Sequence, residues 1–310
     1  MTHSTLGPGP EFDRIRAIAA ALGAEAADLG DDCALVPMSN GILALSTDVS
    51  VEGVHFRREW LSLEEIGWRA AAAALSDLAA EGAGADGVLV ALTVPPSATD
   101  ADAAEVMRGA GAAAGSVRAT VRGGDLSSGP VWSVAVTVFG MAERAVTRIG
   151  ARPGDELWVT GEVGGAGAAL AAWQGGAEPT QRWRQRFAHP EPRIATGRWL
   201  AAHGATAMLD LSDGIAADAQ HLAAASGVKL RIQLESLPVV PGVTDPRAAA
   251  VGGEDYELLV ALPAGFAGRE ECLRATGVPL TPVGQVLAGS GAECTIEGKP
   301  VTLTGYQHFR

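Results

Sequence analysis

Ile15, Ile18, Ala19 and Leu22 recur at helical spacing and predict an amphipathic helix over Glu11–Leu22 that stops at Gly23. Ile42-Leu43-Ala44-Leu45 is an unbroken apolar run that changes at once to Ser46-Thr47-Asp48. It reads as a buried strand over Ile42–Ser46 that ends in oxygen ligands. Ser62-Leu63-Glu64-Glu65 has the form of a capping box and opens a second helix, alanine-rich, to about Ala80. A strand over Val88–Val94, a helix over Ala101–Gly115 and a strand over Val131–Phe139 follow. After the turn Arg152-Pro153-Gly154-Asp155 the pattern restarts with a strand over Glu156–Thr160, a glycine-rich entry over Gly161–Gly167 and a further alanine-rich helix.

Beyond these, Thr180–Pro192 reads as a loop or short helical crossing and Arg193–His203 as a helix. The run Ala207-Met208-Leu209-Asp210 reads as a strand closing on an acid before a helix through Leu222 that stops at Gly227. Strands over Lys229–Gln233 and Leu258–Leu262 precede a tail of short strands and turns. The fold class is therefore α/β (α+β), with mixed sheets and helices. Two domains, 1–148 and 149–310, meet in the turn-rich stretch after Arg144. The glycine run at 161–167 lacks the GxGxxG order of a dinucleotide site, and no suitable acid follows about 20 residues later, so tight strand-to-helix packing is the preferred reading.

Composition narrows the function. No apolar run reaches the roughly 20 residues that span a bilayer, and the N-terminus lacks a basic region followed by an apolar one, so a soluble cytoplasmic protein is expected. Cys33, Cys272 and Cys294 are widely separated and odd in number, against both a disulfide framework and a thiolate zinc site. A net charge of −13 opposes binding to nucleic acid or an anionic membrane. Lys229 and Lys299 are the only two lysines, so phosphate recognition must lean on arginine, backbone amides or metal.

The acids carry the chemistry. Asp32, Asp48, Asp77, Asp125, Asp210 and Asp213 come from six separate places, most beside glycine at an expected strand end. Asp77 is the only charge between Arg69 and Glu81, on a helix that looks packed on most sides. If the six converge, each like-charge pair about 4 Å apart is unfavourable by roughly 1–4 kcal/mol, which calls for cations. Oxygen ligands without His or Cys favour magnesium, which shares its coordination with water and substrate phosphates. No GxxxxGK[ST] loop or protein-kinase signature is present. Each residue also has a plainer reading: Asp213 as a helix N-cap, His55 as a loop histidine, Glu254 as a cap or ion-pair partner. Trp60, Trp68, Trp132 and Trp158 read as core.

GDDCAL (Gly30–Leu35), STDVSVEGVHF (Ser46–Phe56), SDLAAEGA (Ser76–Ala83), GGDLS (Gly123–Ser127), LDLSDG (Leu209–Gly214), GGEDYEL (Gly252–Leu258) and the terminal GYQHF resemble, in the same order, the motifs of the thiamine-monophosphate kinase family. The resemblance covers nearly the whole chain. It implies the two-domain fold shared with aminoimidazole ribonucleotide synthetase, a homodimer paired through the N-terminal domains, and thiamine monophosphate and ATP as substrates with several magnesium ions. It implies magnesium at Asp32, Ser46, Thr47, Asp48, Asp77, Asp125, Asp210 and Asp213. ATP would be held by Gly124, Asp125, Arg148 and Ser212, with Met107 where relatives carry an adenine-packing tyrosine. Substrate contacts would come from His55, Glu254 and Tyr306, the last replacing a tryptophan. No general base is implied. A synthetase of the same fold and a catalytically silent nucleotide-binding protein are the competing readings. The GGEDYEL and STDVSVEGVHF pair, with the lack of a reactive cysteine in a glycine-rich N-terminal loop, weighs against the synthetase, and the retained acids weigh against the silent protein.

Overall fold

The computed structural model describes residues 5–26, 29–303 and 305. The first half contains α1 (Pro10–Leu22), β1 (Ala34–Met38), β2 (Gly41–Val51), α2 (Leu63–Ala80), β3 (Gly87–Val94), α3 (Asp100–Ser116), β4 (Val121–Ser128) and β5 (Ser133–Ala142). The second half contains β6 (Glu156–Thr160), α4 (Gly165–Gln174), α5 (Gln181–Ala188), α6 (Ile194–Ala202), β7 (Ala207–Asp210), α7 (Ile215–Ser226), β8 (Lys229–Gln233), α8 (Pro246–Val251), β9 (Leu258–Leu262), α9 (Arg269–Thr276), β10 (Leu280–Leu287), β11 (Gly291–Ile296) and β12 (Lys299–Val301).

One sheet has the order β1-β2-β5-β3-β4, antiparallel except where β3 meets β4; the other has the order β12-β11-β8-β10-β6-β9-β7. Arg148 lies in the segment between the two sheets. The predicted capping box is present: Ser62 accepts from the Glu65 amide while Glu65 accepts from the Ser62 amide. Between them these two bonds satisfy two otherwise orphaned N–H groups at the start of α2. Alanine at Ala70–Ala74 and Ala79–Ala80 lets α2 be buried on nearly all sides, against α3, β2, β5, α6 and β7. The core around it runs across both halves, from Val134, Val136 and Val138 of β5 to Met208 and Val260 of the second sheet. A second core lies under α7.

Two sequence expectations change. β2 does not end at Ser46 but continues to Val51, paired along its length with β5 down to Val51↔Ser133. Ser46, Thr47 and Asp48 thus occupy the middle of a strand, where alternation sends Ser46 and Asp48 toward α2 and the Thr47 side chain to the other face. Thr47 Oγ1 accordingly contacts Thr137 Oγ1 at 2.8 Å. The other change concerns α1, none of whose residues is buried; among the described residues Ile18 and Leu22 are left 56% and 47% exposed. The helix is held instead through Phe12, stacked on His221 with ring centroids 3.9 Å apart.

Candidate active site

The acids converge on α2. Carboxylate oxygens of Asp32, Asp77 and Asp210 lie within 4.8 Å of one another, brought together from the loop before β1, from α2 and from the end of β7. Ser46 Oγ donates to Asp77. Asp77 lies at the end of a row on α2, Arg69-Ala73-Asp77, whose i, i+4 spacing turns one face to a cavity of about 210 Å³. Thr47, Asp48, Asp210, Ser212, Asp213, His55 and Glu254 also line that cavity. Because the Thr47 hydroxyl points away, Thr47 offers the cavity its main chain.

Charge crowding is visible in the acidities. Burial, then the charges of Asp210, Asp32 and Asp48, push the Asp77 carboxyl well above the usual carboxylate range. Burial and the neighbouring Asp32 charge push Asp210 up to about 7. Burial also raises Asp48. Arg148 supplies one compensating charge: its Nη2 and Nε donate to the two oxygens of Asp32 at 2.6 and 3.2 Å, and its amide donates to Asp31 at 3.1 Å. The donor set is oxygen throughout and too acidic to be stable alone, which fits magnesium.

A second cavity, about 440 Å³, adjoins the first and shares His55, Ser212 and Glu254 with it. Its remaining walls are largely apolar, including Trp60, Leu170 and Phe187. Trp60, read as core from sequence, stacks on Trp173 at 5.4 Å and presents itself to this cavity. Glu254 is fixed at the junction of the cavities. It adopts φ 72°, pairs with the buried Arg69, and accepts from the Tyr256 hydroxyl at 2.6 Å. His55 Nδ1 accepts from the Val51 amide at 3.1 Å, which leaves Nε2 as its outward nitrogen.

Asp213 is not an N-cap. α7 starts from Gly214 with no side-chain cap, while the Asp213 amide donates to the buried Asp218 carboxylate at 3.2 Å. Asp125 stands apart on edge strand β4, exposed, opposite Ala91 and in the same row as Val49. That is the sheet face away from Asp48 and three strands from it, roughly 14 Å at normal strand spacing. Gly124 beside it is irreplaceable on packing grounds, since a Cβ there would meet the Val90 carbonyl oxygen at 1.8 Å. Met107 packs against the core on α3 and lines neither cavity. Tyr306 lies outside the described residues.

The glycine run at 161–167 serves packing, and the start of α4 is already taken by an anion: the Gly164 amide donates to Asp255 at 2.7 Å. Sequence reasoning also did not single out Arg69, Tyr256, Glu81 or Asp218 as site residues. Arg69 and Glu81 carried a signal, the four-residue register that both share with Asp77. No helix among the described residues is long and apolar enough to cross a membrane.

Two family models match the chain: AIR synthase related protein, N-terminal domain, over residues 30–142, and its C-terminal domain over residues 152–297. They define the class, a two-domain protein of the AIR synthase related type. Within that class, thiamine-monophosphate kinase of Escherichia coli strain K12 is 36% identical over 96% of this chain and 95% of its own. The corresponding kinase of Mycobacterium tuberculosis is 35% identical over 90% and 85%. A solved structure, AaThiL complexed with AMPPCP and TMP, superposes with a TM-score of 0.86 at 33% identity, covering 100% of this chain and 99% of that one. The chain belongs to the thiamine-monophosphate kinase family.

Proposed function

We propose that the chain transfers the γ-phosphoryl group of ATP to thiamine monophosphate, giving thiamine diphosphate and ADP. The observation that carries this reading is the pair of adjoining cavities, one lined by carboxylates and one largely apolar, which meet at His55, Ser212 and Glu254. The ring system of thiamine suits the walls of Trp60, Leu170 and Phe187, and its phosphate then reaches the acidic cavity. That AaThiL is described with AMPPCP and TMP supports the substrate pair.

The nucleophile is an oxygen of the acceptor phosphate. A bond forms from that oxygen to the γ-phosphorus as the bond to the β–γ bridging oxygen breaks, and ADP departs. A phosphate oxygen is already anionic near neutral pH, so no side chain need remove a proton. The chain's task is to hold two anions in line. Asp32, Asp48, Asp77, Asp210 and Asp213, with the Thr47 main chain, are the residues that would hold magnesium; Ser46 orients Asp77. Bound magnesium supplies charge neutralisation on both phosphates and on the equatorial oxygens of the transition state. In this reading Arg148, paired with Asp32, contacts a nucleotide phosphate, and His55 Nε2 the acceptor phosphate.

In the same reading the protein works as a homodimer through the uncovered face of the first sheet. Val36, Val49 and Leu89 on that sheet are 43%, 41% and 38% exposed, an apolar area suited to a second copy. Because Asp125 and Gly124 sit on or beside that face, their part in nucleotide binding is assigned to contacts at that interface. Light scattering reads the mass directly, and a monomer at micromolar concentration refutes the pairing. For the reaction, purified protein is incubated with ATP, magnesium and thiamine monophosphate. Absence of thiamine diphosphate despite bound nucleotide would sink the assignment.

A further inference from the structure

Glu81, the residue that closes α2, is fully buried, and neither of its carboxylate oxygens has a hydrogen-bond partner among the described residues. The Cys33 amide and the Asp31 carboxyl approach it without meeting hydrogen-bond geometry. Leaving such a group unpaired in an interior is strongly unfavourable. What faces it is more negative charge: oxygens of Asp31, Asp32 and Glu81 all lie within 4.8 Å of one another. This triad is distinct from Asp32–Asp77–Asp210 and shares one corner with it.

We infer that Asp31, Asp32 and Glu81 form a second divalent-cation site, for a hard ion such as Mg²⁺ or Mn²⁺, beneath the segment that links the two halves. The point equidistant from three oxygens no more than 4.8 Å apart is at most about 2.8 Å from each when the triangle is acute. Small side-chain shifts then bring them to the roughly 2.0–2.6 Å of oxygen–cation bonds. Charge points the same way. Three carboxylates and Arg148, which contacts both Asp31 and Asp32, sum to two negative charges, and one divalent ion balances them. Asp31 Oδ1 accepts the Arg148 and Asp32 amides, leaving Oδ2 for a cation. Arg148 takes one lone pair on each Asp32 oxygen and leaves another on each. All donors are oxygen, since the buried Cys33 thiol is held protonated by burial and the surrounding acids, and this selects against soft ions. The Glu81 carbonyl also accepts the Val146 amide at 3.1 Å. An ion here therefore ties the end of α2 to the loop carrying Asp32 and to the segment carrying Arg148.

The site goes beyond phosphoryl transfer, and its test needs neither nucleotide nor thiamine monophosphate. Full-length protein is freed of metal and titrated with Mn²⁺ alone, bound ions being counted by paramagnetic resonance. Glu81→Gln and Glu81→Met should each bind one Mn²⁺ fewer per chain than wild type, and Asp77→Asn should lose a different equivalent, so that Asp77→Asn with Glu81→Gln loses both. Glu81→Met should also melt at higher temperature than wild type in EDTA, since it removes an unpaired buried acid. Should Met not fold, the near-isosteric Glu81→Gln and Asp31→Asn give the same count. Stoichiometry unchanged in the Glu81 variants overturns the site and leaves a proton shared between Glu81 and Asp31 as the alternative. Loss of kinase turnover in a Glu81 variant whose Mn²⁺ count falls by one as expected supports the site and bears separately on the reaction.

Discussion

Asp210→Asn should stabilise the metal-free protein and weaken its response to magnesium. Asp210 is buried at the end of β7 against Asp32, and its carboxyl is raised from its ordinary value of 3.8 to about 7. The folded protein thus keeps a proton that the unfolded chain releases. Asp210 contributes nothing adverse below about pH 4; stability is lost as pH rises from there through about 7, and above 7 the full penalty applies. A rise from 3.8 to about 7 corresponds to roughly 4 kcal/mol, at about 1.36 kcal/mol for each tenfold change in acidity. The Asp210 charge in turn raises the neighbouring Asp77 carboxyl, so this figure belongs to the pair rather than to one oxygen. Asparagine keeps the shape, cannot ionise, and can donate to Asp32 or Asp77. In EDTA at pH 8 the variant should melt above wild type, by about 8 °C at roughly 2 °C per kcal/mol for a chain of this size. At pH 4 the two should nearly coincide. Millimolar Mg²⁺ at pH 8 should raise the wild-type melting temperature more than that of the variant, which has lost a ligand. Calorimetric or fluorescence melts at both pH values, with EDTA and with Mg²⁺, decide it. A variant no more stable than wild type in EDTA at pH 8, or an equal Mg²⁺ shift in both proteins, refutes the account of the cluster.

Asp48→Asn should lower kcat by at least about a thousandfold, several kcal/mol of charge stabilisation, while circular dichroism shows an unchanged fold. Arg69→Met leaves Glu254 without its cation at the junction of the cavities; denaturant titration should show a loss of about 3 kcal/mol, and KM for thiamine monophosphate should rise more than KM for ATP. Leu170→Trp narrows the largely apolar cavity and should raise KM for thiamine monophosphate about tenfold, near 1.4 kcal/mol, with KM for ATP unchanged; equal changes for both substrates would place the thiamine ring elsewhere.

Local chemistry was readable and long-range chemistry much less so. The Ser62–Glu65 capping box could be read directly because both of its hydrogen bonds close within four residues. β1 was not expected, since Pro37 interrupts its pattern; as an edge strand it tolerates a residue without an N–H. β4 was not recognised through Gly123-Gly124-Asp125, because two glycines carry no alternation and the strand exists through its pairing with β3. The change from apolar to polar at Ser46 looked like an end, whereas β5 continues the ladder and the polar side chains are needed where β2 faces Asp77. The positive φ at Glu254 and Tyr256 has no sequence signature of its own, and Glu81 gives no hint in the sequence that its neighbours will be Asp31 and Asp32.

One helix orders the whole site. Arg69, Ala73, Asp77 and Glu81 follow one another at four-residue steps along α2, a span of about 18 Å at 1.5 Å per residue. At one end Arg69 holds Glu254 beside the cavity proposed for thiamine; the small side chain of Ala73 lines the acidic cavity; Asp77 anchors the first acidic triad and Glu81 the second. In the proposed reaction the axial position of α2 would therefore set the distance between acceptor and metal. That position is fixed against α3 at two glycines, where a Cβ on Gly67 would lie 1.8 Å from the Val106 carbonyl oxygen and one on Gly109 1.8 Å from that of Glu64. Backbone touches backbone at both points, so the helix has little freedom to slide. An in-line transfer between two bound anions requires just such a fixed separation, because the reacting atoms must be held about 3–3.5 Å apart. The alanine-rich composition of α2, uninformative as a motif, is what allows a helix carrying Arg69 and Asp77 on one face, and closed by Glu81, to be enclosed on its other sides.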